Sequence, residues 1–130
     1  TQAESVDLSL VSGFFNSELG KRMLGSSNIL REVPFNIEIS CEELGMARTS
    51  PAKDEKVLVQ GVIDCCFEEA DGMVVVDYKT DYISSDREAT VRKRYSIQME
   101  YYAKALESLT GRKVKEKCIY LLRTGETIKL

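Results

Sequence analysis

The stretch from Gln60 to Asp81, QGVIDCCFEEADGMVVVDYKTD, constrains the fold of this chain more than any other. Two apolar, β-branched runs lie on either side of the turn-forming residues 70–72, which is the pattern of a β-hairpin. Three charged side chains, Asp64, Asp77 and Lys79, interrupt these apolar runs. The hairpin is therefore predicted to carry a small charged group within an otherwise apolar pair of strands.

The register of this hairpin decides which charged side chains are neighbours. Side chains two apart on a strand share a face, so Asp77 and Lys79 project together. A turn centred on residues 71–72 places Asp64 opposite Lys79, and a turn centred on residues 70–71 places it opposite Asp77. Directly opposed residues of an antiparallel pair point to the same face, with their Cβ atoms about 4.5–5.5 Å apart. Either register brings two carboxylates and one ammonium together.

This combination of charges has two interpretations. Two carboxylates alone repel each other, whereas two that share a hard divalent cation, with a lysine beside them, are electrostatically stable. Such a group suits phosphodiester hydrolysis, because the cation polarises the phosphate and lowers the pKa of a bound water, while the lysine positions that water or stabilises developing charge. The alternative is an ion cluster at a solvated strand end, since cross-strand charge pairs are common in sheets.

Apolar periodicity and turn residues predict the remaining elements. Before the hairpin come a helix over residues 7–15, a short helix capped by Ser17 and ended by Gly25, a strand over 30–40 that starts or bends at Pro34 or lies at an edge, and a loop over 41–56. After the hairpin come a loop from 81 to about 85 and a helix that is capped by Ser84, Ser85 or Asp86 and runs to Leu109. This helix has an apolar stripe through Val91, Ile97, Tyr101, Ala105 and Leu109, and it is followed by a strand over 115–122 and a last strand from Thr127. This order indicates one α/β domain with a mixed sheet flanked by helices.

The charge balance limits how the chain could bind nucleic acid. Its formal net charge is −3, which argues against a domain that grips nucleic acid by bulk electrostatics alone. Basic residues cluster at 92–94 and at 112–117. They are interpreted as a solvated helix face and a charged edge strand, so that a DNA grip would come largely from elsewhere in a longer protein.

The cysteines predict no metal cluster. Cys41, Cys65, Cys66 and Cys118 form no CxxC pair, and the chain contains no histidine. Free buried thiols, with the adjacent pair facing opposite sides of a strand, account for them better than a zinc or iron–sulfur site. No apolar run is long enough to predict a membrane span.

Several of these segments together resemble a known family. GVID before the turn, VVVDYKTD after it and the helix YSIQMEYYAKAL are similar to the RecB-like nucleases of the PD-(D/E)XK superfamily. REVPF at residues 31–35 and YLLRTGE at residues 120–126 resemble, within that group, the C-terminal nuclease domains of the AddA family of bacterial ATP-dependent helicase/nuclease subunits. The resemblance covers most of the chain from Phe14 onward. It implies a restriction-endonuclease-like core.

The resemblance also implies roles for particular residues. Asp64, Asp77 and Lys79 would be catalytic, and Asp64, Asp77 and the backbone carbonyl of Tyr78 would hold Mg²⁺, with Mn²⁺ as a substitute.

Three further side chains would support that centre. Gln98 and Tyr102, four apart on one helix face, would lie beside the metal site, and Glu32 would lie near it. The alternatives are a surface hydrogen-bonding pair and a surface glutamate beside Arg31.

The implied function is that of a metal-dependent DNA exonuclease in an AddAB/RecBCD-type helicase/nuclease that processes double-strand breaks for recombinational repair. Its partners would be double-stranded DNA ends, the single strands produced by unwinding and an AddB-like second subunit in the bacterial cytoplasm. ATP would bind elsewhere in the parent, because no GxxxxGK[ST] phosphate loop occurs here. The alternative is a catalytically silent module of the same fold that binds DNA or docks a subunit.

One departure from the family pattern affects the expected activity. RecB-like nucleases carry a metal-binding histidine on an upstream helix, and this chain, which begins at Thr1, has none. The chain is therefore expected to be a C-terminal fragment that starts after that helix, and to be folded but weakly active or inactive by itself.

Overall fold

The computed structural model describes residues 8–40, 56–80, 83 and 85–130. Its elements are α1 (Leu8–Asn16), α2 (Glu18–Leu24), β1 (Ile29–Ser40), β2 (Lys56–Glu69), β3 (Gly72–Lys79), α3 (Arg87–Thr110), β4 (Val114–Leu121) and β5 (Glu126–Lys129). Of the predicted loops, residues 41–55, 81, 82 and 84 lie outside the described residues. None of the described helices is long and apolar enough to cross a membrane.

The five strands form one sheet in the order β1-β2-β3-β4-β5. Neighbouring strands are antiparallel except for β3 and β4, which are parallel. Two parallel strands need a crossover connection, and α3 lies within that connection. The predicted mixed sheet flanked by helices is confirmed.

Helices cover both faces of the sheet, and each face has its own apolar cluster. The α3-side cluster contains Ile63, Cys66 and Val75 together with buried residues of α3. The α1-side cluster contains Cys65 and Val76 with the buried residues of α1 and α2. Adjacent residues therefore point to opposite faces, as predicted for the two cysteines, and Cys65, Cys66 and Cys118 are all buried free thiols.

The ends of the helices follow the predicted capping residues. Ser17 caps α2, with its hydroxyl oxygen accepting a hydrogen bond from the backbone N–H of Gly20 at 3.0 Å. Gly111 ends α3 in the left-handed conformation that favours glycine. Asp86 occupies the N-cap position of α3, but its side chain makes no capping hydrogen bond.

The predicted apolar stripe of α3 is wrong in part. Val91 and Ala105 are buried as predicted, whereas Ile97 and Leu109 are 68% and 59% exposed. The buried side of the helix is formed by Val91, Met99, Tyr102, Ala103, Ala105 and Leu106. Apolar residues occur on more than one side of this helix, so periodicity alone could not select the side that packs on the sheet.

The predicted charged edge strand is also wrong. β4 lies between β3 and β5 and is an interior strand. Its basic neighbourhood is neutralised within the chain: Arg112 pairs with Glu68, Lys115 with Glu69 and Asp71, and Lys117 with Glu100. The edge strands are β1, as its Pro34 allows, and β5.

β1 and β2 form a long hairpin that extends beyond β3. Their register runs from Ile29 opposite Phe67 to Ser40 opposite Lys56. β3 pairs with β2 only from Cys65 to Glu69. Within the described residues, the part of β2 from Lys56 to Ile63 is therefore paired with β1 alone.

Arg22 links α2 to the sheet by ion pairs, at the end of the sheet where the β2–β3 turn lies. Its guanidinium contacts Glu69 of β2 at 2.6 Å and Glu116 of β4 at 2.9 Å, and all three side chains are about one quarter exposed. Hydrogen bonds from Arg22, and then from Lys115, lower the pKa of Glu69 to about 2. Since charge-assisted bidentate contacts are among the stronger polar interactions, this arginine stabilises the packing of α2.

We predict that Arg22→Met lowers the free energy of unfolding by about 1–2 kcal/mol at pH 7. The pKa of Glu69 is depressed by folding, so its contribution is present above about pH 4.5 and is lost as the pH falls towards 2. The difference between wild type and variant should therefore shrink between pH 5 and pH 3. Urea denaturation followed by circular dichroism at the two pH values measures it.

A matched control is Lys56→Met, which removes an exposed pair with Glu38. It should leave the unfolding free energy unchanged within error. An Arg22→Met variant with wild-type stability at pH 7 would contradict the stabilising role of the arginine.

Candidate active site

The site forms where β2 and β3 separate. The last paired residues at this end are Cys65 and Val76, and continuing that register places Asp64 opposite Asp77. Beyond this point a side chain of β2 takes part in the contact between the strands. The backbone N–H of Tyr78 on β3 donates a hydrogen bond to Asp64 Oδ2 at 3.0 Å. Of the two registers considered, the one with the turn centred on residues 70–71 is confirmed.

Asp64 also interrupts the pairing of β2 with β1. The register of β1 and β2 would place Glu32 opposite Asp64, but these two residues are not paired. Ile63 and Cys66 are three apart, yet both belong to the α3-side cluster, so β2 does not keep its two-residue alternation across Asp64. Glu32 has a positive φ of 50°, which is uncommon for a residue other than glycine. Both strands are thus distorted where the two acidic side chains lie.

Asp77 is a buried charge next to another carboxylate. It is 2% exposed and is the only buried charged residue of the described core. Burial raises its pKa to about 7, contact with Asp64 acts in the same direction, and Lys79 opposes both effects. Asp77 Oδ2 lies 2.7 Å from Lys79 Nζ, but no described residue donates a hydrogen bond to it with acceptable geometry.

Lys79 connects this acidic pair to α3. Its Nζ donates to Gln98 Oε1 at 3.0 Å, and Gln98 Nε2 donates to the hydroxyl of Tyr102 at 3.1 Å. The structure thus brings Asp64, Asp77 and Lys79 together, with Gln98 and Tyr102 beside them, while their roles stay predictions.

Tyr102 is held by the core on one side and faces charge on the other. Its ring packs edge-on against Phe35, with 5.4 Å between ring centroids. Burial, followed by the charges of Asp77 and Asp64, raises the pKa of its hydroxyl to about 12. The phenol therefore stays protonated at neutral pH and acts as a hydrogen-bonding group rather than as a base.

The sequence analysis missed one residue of this group. The ring of Tyr95 lies under Lys79, with its centroid 4.3 Å from Nζ. The only signal was its spacing, because Tyr95 precedes Gln98 by three residues and so shares its side of the helix.

Glu32 is placed near the site but is not joined to the acidic pair. It lines, with Asp64, a cleft of about 710 Å³ on the α1 side of the sheet. The other residues lining this cleft are Val11, Phe14, Phe15, Arg31, Cys65, Tyr78, Thr80 and Leu122. In the described part of the chain, no group of three His, Cys, Asp or Glu side chains is close enough to hold a metal ion.

The donors present nevertheless fit a hard divalent cation. Asp77 Oδ2 is buried, and apart from the Lys79 ammonium at 2.7 Å no described group satisfies it, so it keeps an acceptor position beside a second carboxylate. Mg²⁺ is commonly bound by one or two carboxylates, with waters and substrate phosphates completing its coordination. Asp64 and Asp77 meet that requirement without a third acidic ligand.

Comparisons with known proteins show the family of the chain. A family model described as the PD-(D/E)XK nuclease superfamily matches residues 9–128. The chain is 56% identical over 128 residues to an ATP-dependent helicase/nuclease subunit from Acetivibrio thermocellus, covering 98% of this chain and 10% of that protein. It is 47% identical to proteins of the same name from a Thermoanaerobacter species and from Ruminiclostridium cellulolyticum, covering 98% and 99% of this chain and 10% of each. The chain thus spans about a tenth of the length of these curated relatives.

We predict that Asp77→Asn makes the chain more stable at pH 7 in the presence of a chelator. Folding raises the pKa of Asp77, so the protonated carboxyl favours the folded state, and that stability is lost as the pH rises from about 4 to about 7. The variant lacks this loss, and its advantage should grow with pH to the order of 1–3 kcal/mol. Denaturant unfolding at several pH values measures the difference.

The matched control is Asp71→Asn, at the exposed turn of the same hairpin. Lys115 lowers the pKa of Asp71, so this change should not reproduce the effect between pH 5 and pH 7. If the unfolding free energies of wild type and Asp77→Asn change with pH in the same way, burial does not disfavour the charged form of Asp77 in the folded state.

Proposed function

The chain belongs to the PD-(D/E)XK nuclease superfamily, and we propose that it is a metal-dependent nuclease domain that hydrolyses phosphodiester bonds of DNA at Asp64, Asp77 and Lys79. The observation that carries this proposal is the contact between the Asp64–Asp77 pair and the Lys79 ammonium, which lies 2.7 Å from Asp77 Oδ2. Two carboxylates and an adjacent ammonium supply the groups that phosphodiester hydrolysis needs.

The acidic pair is assigned to metal binding. Asp64, Asp77 and the backbone carbonyl of Tyr78 would hold Mg²⁺, with Mn²⁺ as a substitute. A bound divalent cation supplies polarisation of the phosphate and a more acidic water. Its charge would also offset the repulsion between the two carboxylates, and so favour the ionised form of Asp77 that burial disfavours.

Lys79 is assigned to positioning the attacking water and stabilising charge on the phosphate. An ammonium has three N–H donors. One side of Lys79 faces Asp77, and a second donor is used by Gln98 at 3.0 Å, which leaves a donor for the water or for a phosphate oxygen. Gln98 in turn is held by Tyr102, so the helix fixes where the ammonium lies.

Glu32 is assigned a supporting role at the edge of the site. It lines the same cleft as Asp64, where it could orient a water or limit the approach of the DNA strand. Its positive φ is consistent with a functional constraint, since strained backbone often occurs at such sites.

The relatives named above suggest a wider context. We propose that the chain is the nuclease part of a longer helicase/nuclease protein that acts on double-stranded DNA ends and on unwound single strands in the bacterial cytoplasm, in recombinational repair. This proposal includes an ATP site elsewhere in the protein, a position at the C-terminal end of the parent and an AddB-like second subunit. Arg112, Lys115 and Lys117 are neutralised by ion pairs within the chain. This supports DNA binding largely by other parts of the longer protein.

A second candidate is a catalytically silent module of the same fold that binds DNA or docks a subunit. It is favoured by the lack of a third metal-binding side chain next to Asp64 and Asp77 among the described residues. The same observation leads us to expect that the 130-residue chain by itself is weakly active or inactive.

We predict that, in the longer protein with Mg²⁺, Asp77→Ala abolishes DNA degradation and leaves ATP-driven unwinding largely intact. Lys79→Ala should lower degradation nearly as much, because it removes a charge-stabilising donor rather than a metal ligand. Degradation and unwinding of linear duplex DNA are measured in the same assay.

Asp71→Ala is the matched control, since it removes a carboxylate from the opposite, exposed end of the same hairpin. It should degrade DNA at the wild-type rate. An Asp77→Ala protein that degrades DNA at the wild-type rate would show that Asp77 is not a catalytic residue. That result would favour the catalytically silent module.

A further inference from the structure

Three groups surround the Lys79 ammonium. Asp77 Oδ2 lies at 2.7 Å, Gln98 Oε1 accepts a hydrogen bond at 3.0 Å, and the ring centroid of Tyr95 lies at 4.3 Å from Nζ. The lysine side chain is only 18% exposed. A flexible four-carbon side chain is thus held in one place by contacts of three different kinds.

Tyr95 is itself held in place by the fold. It lies on α3, three residues before Gln98, and its partly buried ring packs against the α3-side cluster. The same helix therefore presents the ring and the amide to Lys79 from adjacent positions on one side. Because α3 is anchored to the sheet by its buried residues, the backbone of Tyr95 is fixed relative to β3.

The ring contributes something that Asp77 and Gln98 do not. The face of an aromatic ring attracts a cation through its quadrupole, within about 6 Å of the centroid. This attraction uses neither the carboxylate oxygen of Asp77 nor the amide oxygen of Gln98. It therefore adds to their contacts and holds the ammonium on a side that Asp77 does not reach. It also restricts the rotamers of the lysine, whose ordering would otherwise cost entropy in each catalytic cycle.

We propose that Tyr95 is a positioning residue for the reaction: its ring face holds the Lys79 ammonium in the place where Lys79 contacts the water or the phosphate. This inference rests on the proposed function of Lys79. Tyr95 acts through Lys79 and needs no contact with DNA or metal. Its hydroxyl is not required, because the ring face carries the interaction.

A series of ring substitutions in the longer protein tests this role. Tyr95→Phe should keep nearly wild-type kcat for DNA degradation, and Tyr95→Leu should lower kcat about two- to thirtyfold, with KM for DNA changed less than about twofold. Replacing Tyr95 by phenylalanines with one, two and three ring fluorines should lower kcat step by step, since fluorine weakens the quadrupole with little change in shape. Equal kcat for all the rings, or wild-type kcat for Tyr95→Leu, would overturn the proposal.

Tyr101→Leu is the matched control, because Tyr101 lies on a different side of the same helix from Tyr95. It should leave kcat unchanged. Thermal unfolding of each variant identifies any loss of activity that comes from loss of the fold.

A second measurement does not depend on activity. In the 130-residue chain labelled with ¹³C-lysine, the Hε protons of Lys79, assigned by Lys79→Arg, should be shifted upfield by the ring current of Tyr95. The shift should persist in Tyr95→Phe and vanish in Tyr95→Leu. An unshifted Lys79 in the wild-type chain would overturn the inference even if the protein degrades DNA. If the chain shows the shift but the longer wild-type protein shows no metal-dependent degradation of DNA, the proposed function is contradicted instead.

Discussion

The active-site arrangement depends on one buried charge, the Asp77 carboxylate, which lies near the end of β3 where this strand runs parallel to β4. β3 lies between β2 and β4 with helices on both faces, so its side chains are buried almost to its last residue. A carboxylate in that position needs compensation, because burial disfavours its charge. Asp64 and Lys79 contact this one buried group, at the point where β2 and β3 separate.

The long helix α3 joins stability and chemistry in a single element. Met99 and Leu106 on its buried side pack on the sheet, and Tyr95, Gln98 and Tyr102 on the neighbouring positions reach the Lys79 region. A shift of this helix would move the polar contacts and the apolar ones together. The ion pairs around Arg22 lie at the opposite end of the hairpin, so changes there affect the attachment of α2 without reaching the site.

The sequence predicted the features that depend on local pattern. A period of two residues predicts the hairpin and its two possible registers, and a period of 3.6 residues predicts the pairing of Gln98 with Tyr102. The family resemblance implied that these side chains belong to one catalytic site. The choice of register needed the turn geometry, because Ala70-Asp71 and Asp71-Gly72 both offer turn residues.

Features that depend on distant contacts were not predictable in the same way. The burial of Met99 in place of Ile97 depends on which side of α3 meets the sheet. The ring of Tyr95 under Lys79 joins two elements that no sequence period connects, and the positive φ of Glu32 occurs where the pairing of β1 with β2 is interrupted. The basic residues before and along β4 look solvated in sequence because their acidic partners lie on β2, the turn after it and α3.

The extension of the β1–β2 hairpin beyond β3 has a consequence for handling the isolated chain. The run from Val57 to Ile63 contains no charge and no proline, one edge of it has no strand partner in the described part of the molecule, and Leu58 and Val62 are 54% and 50% exposed. Such an edge is a template for another strand, and natural proteins usually protect it with a charge or a covering segment. We therefore expect this edge to favour self-association of the separate domain at high concentration, and Val62→Lys to oppose it.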